Sequence, residues 1–231
     1  MIATDRFVYL HLHKSGGTFI NECLLRFFAD ARQIGYHLPR AVIPEALRAL
    51  PVLGFVRNPW SYYVSWYAFQ SQRAQPNALF RCVSDNGARG FKETVRNLLE
   101  LSNNEARLDQ LLGALPPQYG QHGLNLPGFA LAPIRGSGMG FYSYLYRYMY
   151  GENDAALFVG RTENLRADFL AFLQKTGVVI SGPLNDFILH EQARNTSSHG
   201  SWRDYYDTSL AAAVGRFDHG VIDTFGYRFD A

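Results

Sequence analysis

Hydrophobic and polar positions near the start of the chain predict a strand, a turn and a helix in immediate succession. Residues 7–10 are apolar and β-prone, and Leu12 continues their alternating pattern. From Ile20 onward, apolar residues recur at the spacing of a helix that buries one face. Several small residues separate the two patterns. Residues 7–28 therefore predict a strand whose carboxyl end turns directly into a helix.

A second strand and helix follow in the same order. Residues 51–56 form a continuous apolar run, which is typical of a strand buried on both faces. Asn58 and Pro59 then give a helix-start signal, because a side-chain acceptor precedes a proline whose missing N–H costs nothing at the first helical position. We expect a helix over residues 59–72, with Ser65 on a polar stripe separate from the buried aromatic face.

A third pair completes the pattern of the fold. Residues 155–159 predict another buried strand, and a helix follows from about residue 165. Residues 33–38 predict a further short strand between the first two pairs. Because strands alternate with helices, we predict an α/β fold with a central parallel sheet flanked by helices on both faces. Ligands of such sheets bind at the carboxyl ends of the strands.

The middle of the chain has a weaker pattern. Residues 73–150 contain several prolines and many glycines, with helical character at residues 91–101. The aromatic run at residues 140–150 favours core packing over a sugar-binding or aromatic-binding surface. We predict a single domain over residues 1–231, in which residues 73–150 form a helical and irregular insertion on the acceptor side.

Composition limits the classes of protein that fit. The chain has 231 residues, of which 47% are hydrophobic, and a formal net charge of only +2. A surface that wraps a nucleic acid is therefore disfavoured, and anion recognition has to be local. The two cysteines, Cys23 and Cys82, do not suggest a disulfide framework or a metal cluster. With no secretory signal pattern and no run of roughly 20 apolar residues, we expect a cytoplasmic protein without a transmembrane segment.

The turn after the first strand has the composition of a phosphate site. It consists of Lys14, Ser15, Gly16, Gly17 and Thr18. Small residues let backbone amides approach an anion, and the amino end of a helix adds N–H donors and a partial positive charge. The lysine precedes the glycines, so the order differs from that of a Walker A loop. The alternative for the glycine pair alone is an ordinary turn with a surface lysine.

Two stretches together resemble the nucleotide site of sulfotransferases that use 3′-phosphoadenosine 5′-phosphosulfate (PAPS). The first is HKSGGT at residues 13–18, which resembles the 5′-phosphosulfate loop of that family. The second is RNPWSYYVSWY at residues 57–67, which resembles the 3′-phosphate site. The resemblance implies that Arg57 and Ser65, eight residues apart, bind the 3′-phosphate. It also implies that the loop amides and hydroxyls hold the 5′-phosphate while Lys14 reaches the bridging oxygen.

Further resemblance is partial. Residues 160–165 resemble a recurrent sulfotransferase segment, and the chain ends in a similar helical region. Residues 200–203 resemble part of the segment that closes over the nucleotide, but the basic stretch expected before them is missing. Ser197 and Ser198 are therefore only candidate nucleotide contacts. The likeness covers the nucleotide elements and the C-terminal third, and leaves the acceptor-binding middle unmatched.

Sulfuryl transfer also needs a base for the acceptor proton, and histidine suits this task. His37 resembles the histidine of heparan and uronyl 2-O-sulfotransferases at the equivalent place, so it is our first candidate. His13 is the alternative base, and His11 is expected to be a packed core residue. The resemblance implies PAPS as donor, 3′-phosphoadenosine 5′-phosphate (PAP) as product, no metal, and a carbohydrate acceptor. A phenol, a lipid alcohol or an amine stays open.

Two other functions remain open from the sequence. A P-loop-type nucleotide kinase would share the strand, glycine turn and helix, but it needs a lysine after the glycines and an acid that binds Mg²⁺. A non-catalytic protein that binds PAPS or another nucleotide would keep Arg57 and Ser65 without needing Lys14 or His37. A comparison of PAP with AMP and ATP as ligands separates these functions.

Overall fold

The computed structural model describes residues 1–121, 123–192 and 200–230. Of these, residues 1–57 and 149–192 form one compact unit, and residues 58–148 and 200–230 form another. We call them the first and the second unit. The α/β fold class predicted from the sequence is confirmed. The assignment of both units to a single domain stays a prediction.

A mixed sheet lies in the first unit. Its strands are β1 (Ile2–Ala3), β2 (Val8–Tyr9), β3 (Arg32–Gln33), β4 (Val52–Val56) and β5 (Leu157–Arg161). Their order across the sheet is β3-β1-β2-β4-β5. β2, β4 and β5 are parallel neighbours, whereas β1 runs antiparallel to β2 and β3. The predicted parallel arrangement therefore applies to the three strands on one side, and the whole sheet is not parallel.

The antiparallel edge arises from a strand that the sequence pattern does not predict. β1 has only two residues, which is too short to show alternation. Thr4 builds the turn between β1 and β2, because its backbone N–H donates to the carbonyl of Phe7 at 2.9 Å. Its hydroxyl oxygen accepts from the N–H of Phe7 at 3.0 Å. This tight hairpin adds an antiparallel strand before the chain enters the parallel part.

The strand predicted at residues 33–38 is wrong beyond Gln33. β3 ends there, both of its residues are exposed, and the chain turns instead of continuing along the sheet. At Gly35 a side chain would collide with Leu38, since an added Cβ would lie 2.5 Å from its Cδ1. His37 then has a left-handed backbone with φ of 48°. His37 therefore lies in a turn and not at the end of a strand.

Helices supply most of the remaining structure. Their bounds are α1 (Gly17–Phe27), α2 (Pro59–Ser71), α3 (Ala78–Val83), α4 (Phe91–Leu99), α5 (Glu105–Ala114), α6 (Gly128–Leu131), α7 (Phe141–Tyr150), α8 (Leu165–Lys175), α9 (Gly182–His190), α10 (Thr208–Phe217) and α11 (His219–Phe225). The helices predicted after each strand, and the helical C-terminal region, are confirmed. Residues 73–150, predicted as a helical and irregular insertion, contain α3 to α7 joined by segments outside these helices.

The core of the first unit forms between one face of the sheet and three helices. Buried side chains of α1, α8 and α9 pack on Ile2, Tyr9, Leu53 and Phe55. These strand residues alternate with neighbours that point to the opposite face, as the two-residue period of a strand requires. In β5 the first three residues are half-buried, Gly160 is buried and Arg161 is exposed, so the prediction of a buried strand at residues 155–159 is wrong. The reason is that β5 has a neighbour on one side only in the described sheet.

The second unit is a helical assembly with an aromatic interior. Asn58 accepts from the backbone N–H of Ser61 at the start of α2, as predicted. The polar stripe predicted on α2 is itself buried, since Ser65 is only 2% exposed. A helix packed on all sides buries its small polar residues with its aromatic ones. The ring of Tyr62 stacks on that of Tyr142 at 3.8 Å between centroids, which confirms that the aromatic run packs in a core.

Candidate functional site

The predicted phosphate loop lies between β2 and α1. β2 pairs with β4 as far as Leu10, whose N–H donates to the carbonyl of Leu53 at 2.8 Å. The chain then leaves the sheet, turns at Lys14 with φ of 59° and at Gly16 with φ of 76°, and enters α1. Gly16 is the N-cap of α1 and offers no side chain to cap it. The amino end of the helix thus follows directly on the turn that carries Lys14.

Each glycine of the pair has its own structural reason. Gly16 needs its left-handed backbone, which is costly for residues with a Cβ atom. Gly17 needs space, because an added Cβ would lie 1.9 Å from Nε2 of His11. The His11 ring therefore packs against the first residue of α1. His11 is 8% exposed, so its predicted role as a packed residue is confirmed.

Arg57 reaches the same loop from the end of β4. Its Nη1 donates to the carbonyl oxygen of Lys14 at 3.4 Å. Burial and the nearby Arg57 guanidinium lower the pKa of Lys14 from 10.5 to about 8. Both effects disfavour the charged ammonium, and an anion bound beside it would reverse the second. Lys14 and Arg57, the two cations predicted from the sequence, therefore both lie after the carboxyl ends of neighbouring parallel strands.

His37 approaches the loop from its turn. Its Nδ1 lies 2.7 Å from the carbonyl oxygen of His11. A carbonyl only accepts, so Nδ1 carries the proton and Nε2 presents a lone pair in the neutral ring. Burial lowers the pKa of His37 to about 4, against the hydrogen bond to the His11 carbonyl, which raises it. The ring is therefore neutral at pH 7 and able to take a proton at Nε2.

Other rings surround His37. His13 stacks on it with centroids 3.6 Å apart and planes inclined by 20°. His11 lies 4.4 Å away at an inclination of 55°, and Tyr36 contacts it edge-on at 4.7 Å. Because His13 immediately precedes Lys14, the stack links the candidate base to the candidate cation. Both candidate bases of the sequence prediction thus belong to one cluster.

Lys14 and His37 also share an uncommon backbone. Among the described residues of the first unit, they are the two non-glycine residues with positive φ. A left-handed backbone costs roughly 1–2 kcal/mol in a residue that has a Cβ atom. Such strain persists where the surrounding structure imposes it, and it concentrates at functional sites. The two catalytic candidates chosen from the sequence are therefore the strained side-chain-bearing positions of this unit.

A tyrosine that the sequence did not single out holds the end of β4. Beyond Leu53, β2 no longer pairs with β4. The hydroxyl of Tyr150 takes the place of β2 as the hydrogen-bond partner of the β4 backbone. This hydroxyl donates to the carbonyl of Phe55 at 2.8 Å and accepts from its N–H at 3.0 Å. Gly54 makes room, since an added Cβ would lie 2.2 Å from the Tyr150 ring. A glycine inside an apolar strand is the sequence signal for such a close approach.

The other nucleotide contacts predicted from the sequence are serine and threonine residues, and the structure describes only some of them. Thr18 lies in the first turn of α1, and Ser15 is buried, with its hydroxyl donating to the carbonyl of His13 at 3.3 Å. Ser65 lies in α2 of the second unit. Its pairing with Arg57 at a 3′-phosphate stays a prediction. Ser197 and Ser198 lie outside the described residues.

Comparisons with known proteins add no family to this description. No protein-family model matches the sequence, and a search of curated proteins finds no match either. No helix in the described residues is long and apolar enough to cross a membrane.

Proposed function

We propose that this protein is a PAPS-dependent sulfotransferase with a P-loop-like nucleotide site. The observation that carries the proposal is the meeting of Lys14 and Arg57 where β2 and β4 end, beside the amino end of α1. Burial and the charge of Arg57 both lower the preference of Lys14 for its charged form in the free protein. A bound phosphate or sulfate removes that penalty and gains hydrogen bonds from the loop.

The donor is bound mainly through its phosphates. The amides at the start of α1 and the loop hydroxyls hold the 5′-phosphate, and Lys14 reaches the oxygen that bridges phosphorus and sulfur. Arg57 and Ser65 bind the 3′-phosphate, the group that distinguishes PAPS from simple adenine nucleotides. A guanidinium suits this role because its planar fork matches two phosphate oxygens.

The reaction is an in-line transfer of the sulfuryl group. The acceptor oxygen forms a bond to sulfur while the bond from sulfur to the bridging oxygen breaks. The electron pair of the broken bond stays on PAP, where the Lys14 ammonium stabilises the added charge. Charge stabilisation of this kind is commonly the largest catalytic contribution.

His37 removes the proton of the acceptor hydroxyl. The proton moves to Nε2, because Nδ1 already donates to the His11 carbonyl. A low pKa keeps the ring neutral before the reaction. The negative charge of the bound donor then raises that pKa, since an opposite charge favours the imidazolium. The base therefore becomes stronger when the substrate is present.

A carbohydrate hydroxyl is the proposed acceptor, from the likeness of His37 to the base of the 2-O-sulfotransferases. The test is a screen of sugars, phenols, lipid alcohols and amines with sulfur-labelled PAPS. Label transferred to a saccharide supports the proposal, whereas transfer only to another class corrects the acceptor. Tight PAP binding without transfer to any class would favour the non-catalytic alternative and contradict the proposed activity.

A further inference from the structure

The closest ring contact in the site joins His13 and His37. Their centroids lie 3.6 Å apart and their planes are inclined by 20°, so one imidazole covers the face of the other. The edge of His37 is fixed separately, by the hydrogen bond from its Nδ1 to the His11 carbonyl. One contact holds the ring at its edge and the other at its face.

We propose that His13 is a positioning residue that stacks on His37 and stabilises its protonated form, and that it does not itself take the acceptor proton. This inference depends on the proposed sulfotransferase function. In the transfer step the proton of the acceptor hydroxyl moves to Nε2 of His37, and His13 stays neutral. The π face of His13 then contacts the imidazolium, and a cation held over an aromatic face is stabilised.

Charges near His13 oppose its use as the base. His13 directly precedes Lys14, whose backbone carbonyl accepts from the Arg57 guanidinium and whose ammonium is disfavoured by the Arg57 charge. A proton on His13 would add another positive charge next to this pair, which like charges disfavour. His37 is separated from Lys14 in the sequence and has a carbonyl partner that favours its imidazolium.

Several groups besides His13 lie near the His37 ring and can change its pKa. They are the rings of His11, His13 and Tyr36, and the amino group of Met1 acts on it through charge. His11 is buried, and burial, followed by the charges of the other two histidines, lowers its pKa well below 6.5. Among these groups, His13 alone covers the face of the His37 ring in a near-parallel stack.

A pair of substitutions tests the assignment. His13→Phe keeps an aromatic face without a titratable group, and His13→Ala removes the face. We expect His13→Phe to keep kcat within about 2-fold of the wild type and His13→Ala to lower it roughly 3- to 30-fold, with unchanged PAP affinity. The exposed His190 supplies the control His190→Ala, which should change neither value. Equal losses of roughly 10²- to 10⁴-fold in both His13 variants would identify His13 as the base and overturn the proposal.

A second readout does not require turnover. Nitrogen NMR of the His37 imidazole, in the free protein and with PAP, follows its tautomer and titration directly. We expect His13→Ala to lower the pKa of His37 in the PAP complex and His13→Phe to leave it near the wild-type value. Identical His37 titrations in all three proteins would overturn the stacking role. If no acceptor is sulfated at all, the proposed function fails while this titration still decides whether the stack acts on His37.

Discussion

Two polar clusters of this protein differ in the partners that their charged groups have. One surrounds Lys14 in the first unit, and the other surrounds Asp218 in the second. In the first unit the Arg57 guanidinium donates to the backbone carbonyl of Lys14, and both Lys14 and His37 have a left-handed backbone. The cluster around Asp218 in the second unit gives a buried carboxylate a hydrogen bond at each oxygen. Backbone strain and like charges accompany the candidate site, whereas Asp218 is hydrogen-bonded at both of its carboxylate oxygens.

The second cluster connects helices of its own unit. Tyr63 donates its hydroxyl to Oδ2 of Asp218 at 2.6 Å, and the N–H of Ser143 in the first turn of α7 donates to Oδ1 at 2.8 Å. Gly140 allows this approach, because an added Cβ would lie 2.6 Å from Oδ1. Burial raises the pKa of Asp218 to about 6, and its two hydrogen bonds lower it against that effect. A perturbed pKa alone therefore does not identify a functional site.

Among substitutions in the two clusters, we expect the largest loss of activity at His37. His37→Ala should lower sulfate transfer by roughly 10²- to 10⁴-fold, because the acceptor loses its base. PAP binding should stay intact, because the proposed mechanism gives His37 a contact with the acceptor and none with the donor. Steady-state rates and calorimetric PAP titration measure the two properties, with His219→Ala as an exposed histidine control. Transfer near the wild-type rate in His37→Ala would remove His37 from the mechanism.

The next effect concerns Arg57. Arg57→Ala should weaken PAP binding by about 1.5–3 kcal/mol, the range for a hydrogen bond to a charged group, and should change AMP binding little. Arg57→Lys is the matched variant, because it keeps the charge and loses the planar fork. Calorimetry with both nucleotides gives the comparison. Equal losses for PAP and AMP would mean that Arg57 supports the loop through the Lys14 carbonyl instead of binding the 3′-phosphate.

Substitutions of Asp218 test whether the second cluster stabilises the fold. Asp218→Ala leaves the Tyr63 hydroxyl and the Ser143 N–H without their acceptor, so the free energy of unfolding should fall by about 1–3 kcal/mol. Asp218→Asn keeps the shape and should lose less. The folded pKa lies above the unfolded value of 3.8, so the wild type should lose stability relative to Asp218→Asn as pH rises from 3.8 to about 6. Chemical denaturation at several pH values measures this, and a larger effect on sulfate transfer than on unfolding would contradict a structural role.

The smallest effect has the opposite sign. Lys14→Gly should raise the free energy of unfolding by about 0.5–1 kcal/mol, because relief of the left-handed strain exceeds the extra chain entropy of glycine. The same change should reduce turnover more than PAPS affinity, since the ammonium acts on charge that develops in the transition state. Lys14→Met separates the two effects, because it removes the charge and keeps the strain. A less stable Lys14→Gly protein would show that the backbone at this position is not strained.

The elements that were predictable have local causes. β4 follows from a continuous apolar run, and the start of α2 follows from an acceptor at Asn58 before Pro59. The turn at His37 was not predictable, because it depends on contacts of Gly35 and on the distant His11 carbonyl. The stack of His13 on His37 joins residues that are far apart in the sequence, and no local pattern indicates it. The order of the motifs thus identified the candidate residues. The stacking of His13 on His37 depends on tertiary contacts, which the sequence does not show.

PAP binding tests the central claim most directly. Lys14, Arg57 and the start of α1 should together select a nucleotide with both 5′- and 3′-phosphates. PAP at 100 times its dissociation constant should raise the free energy of unfolding by about 2.7 kcal/mol, and AMP at the same concentration should raise it much less. Thermal unfolding with PAP, AMP, or ATP with Mg²⁺ gives the comparison in one experiment. A shift with ATP and Mg²⁺ but none with PAP would contradict the sulfotransferase assignment and favour a nucleotide kinase.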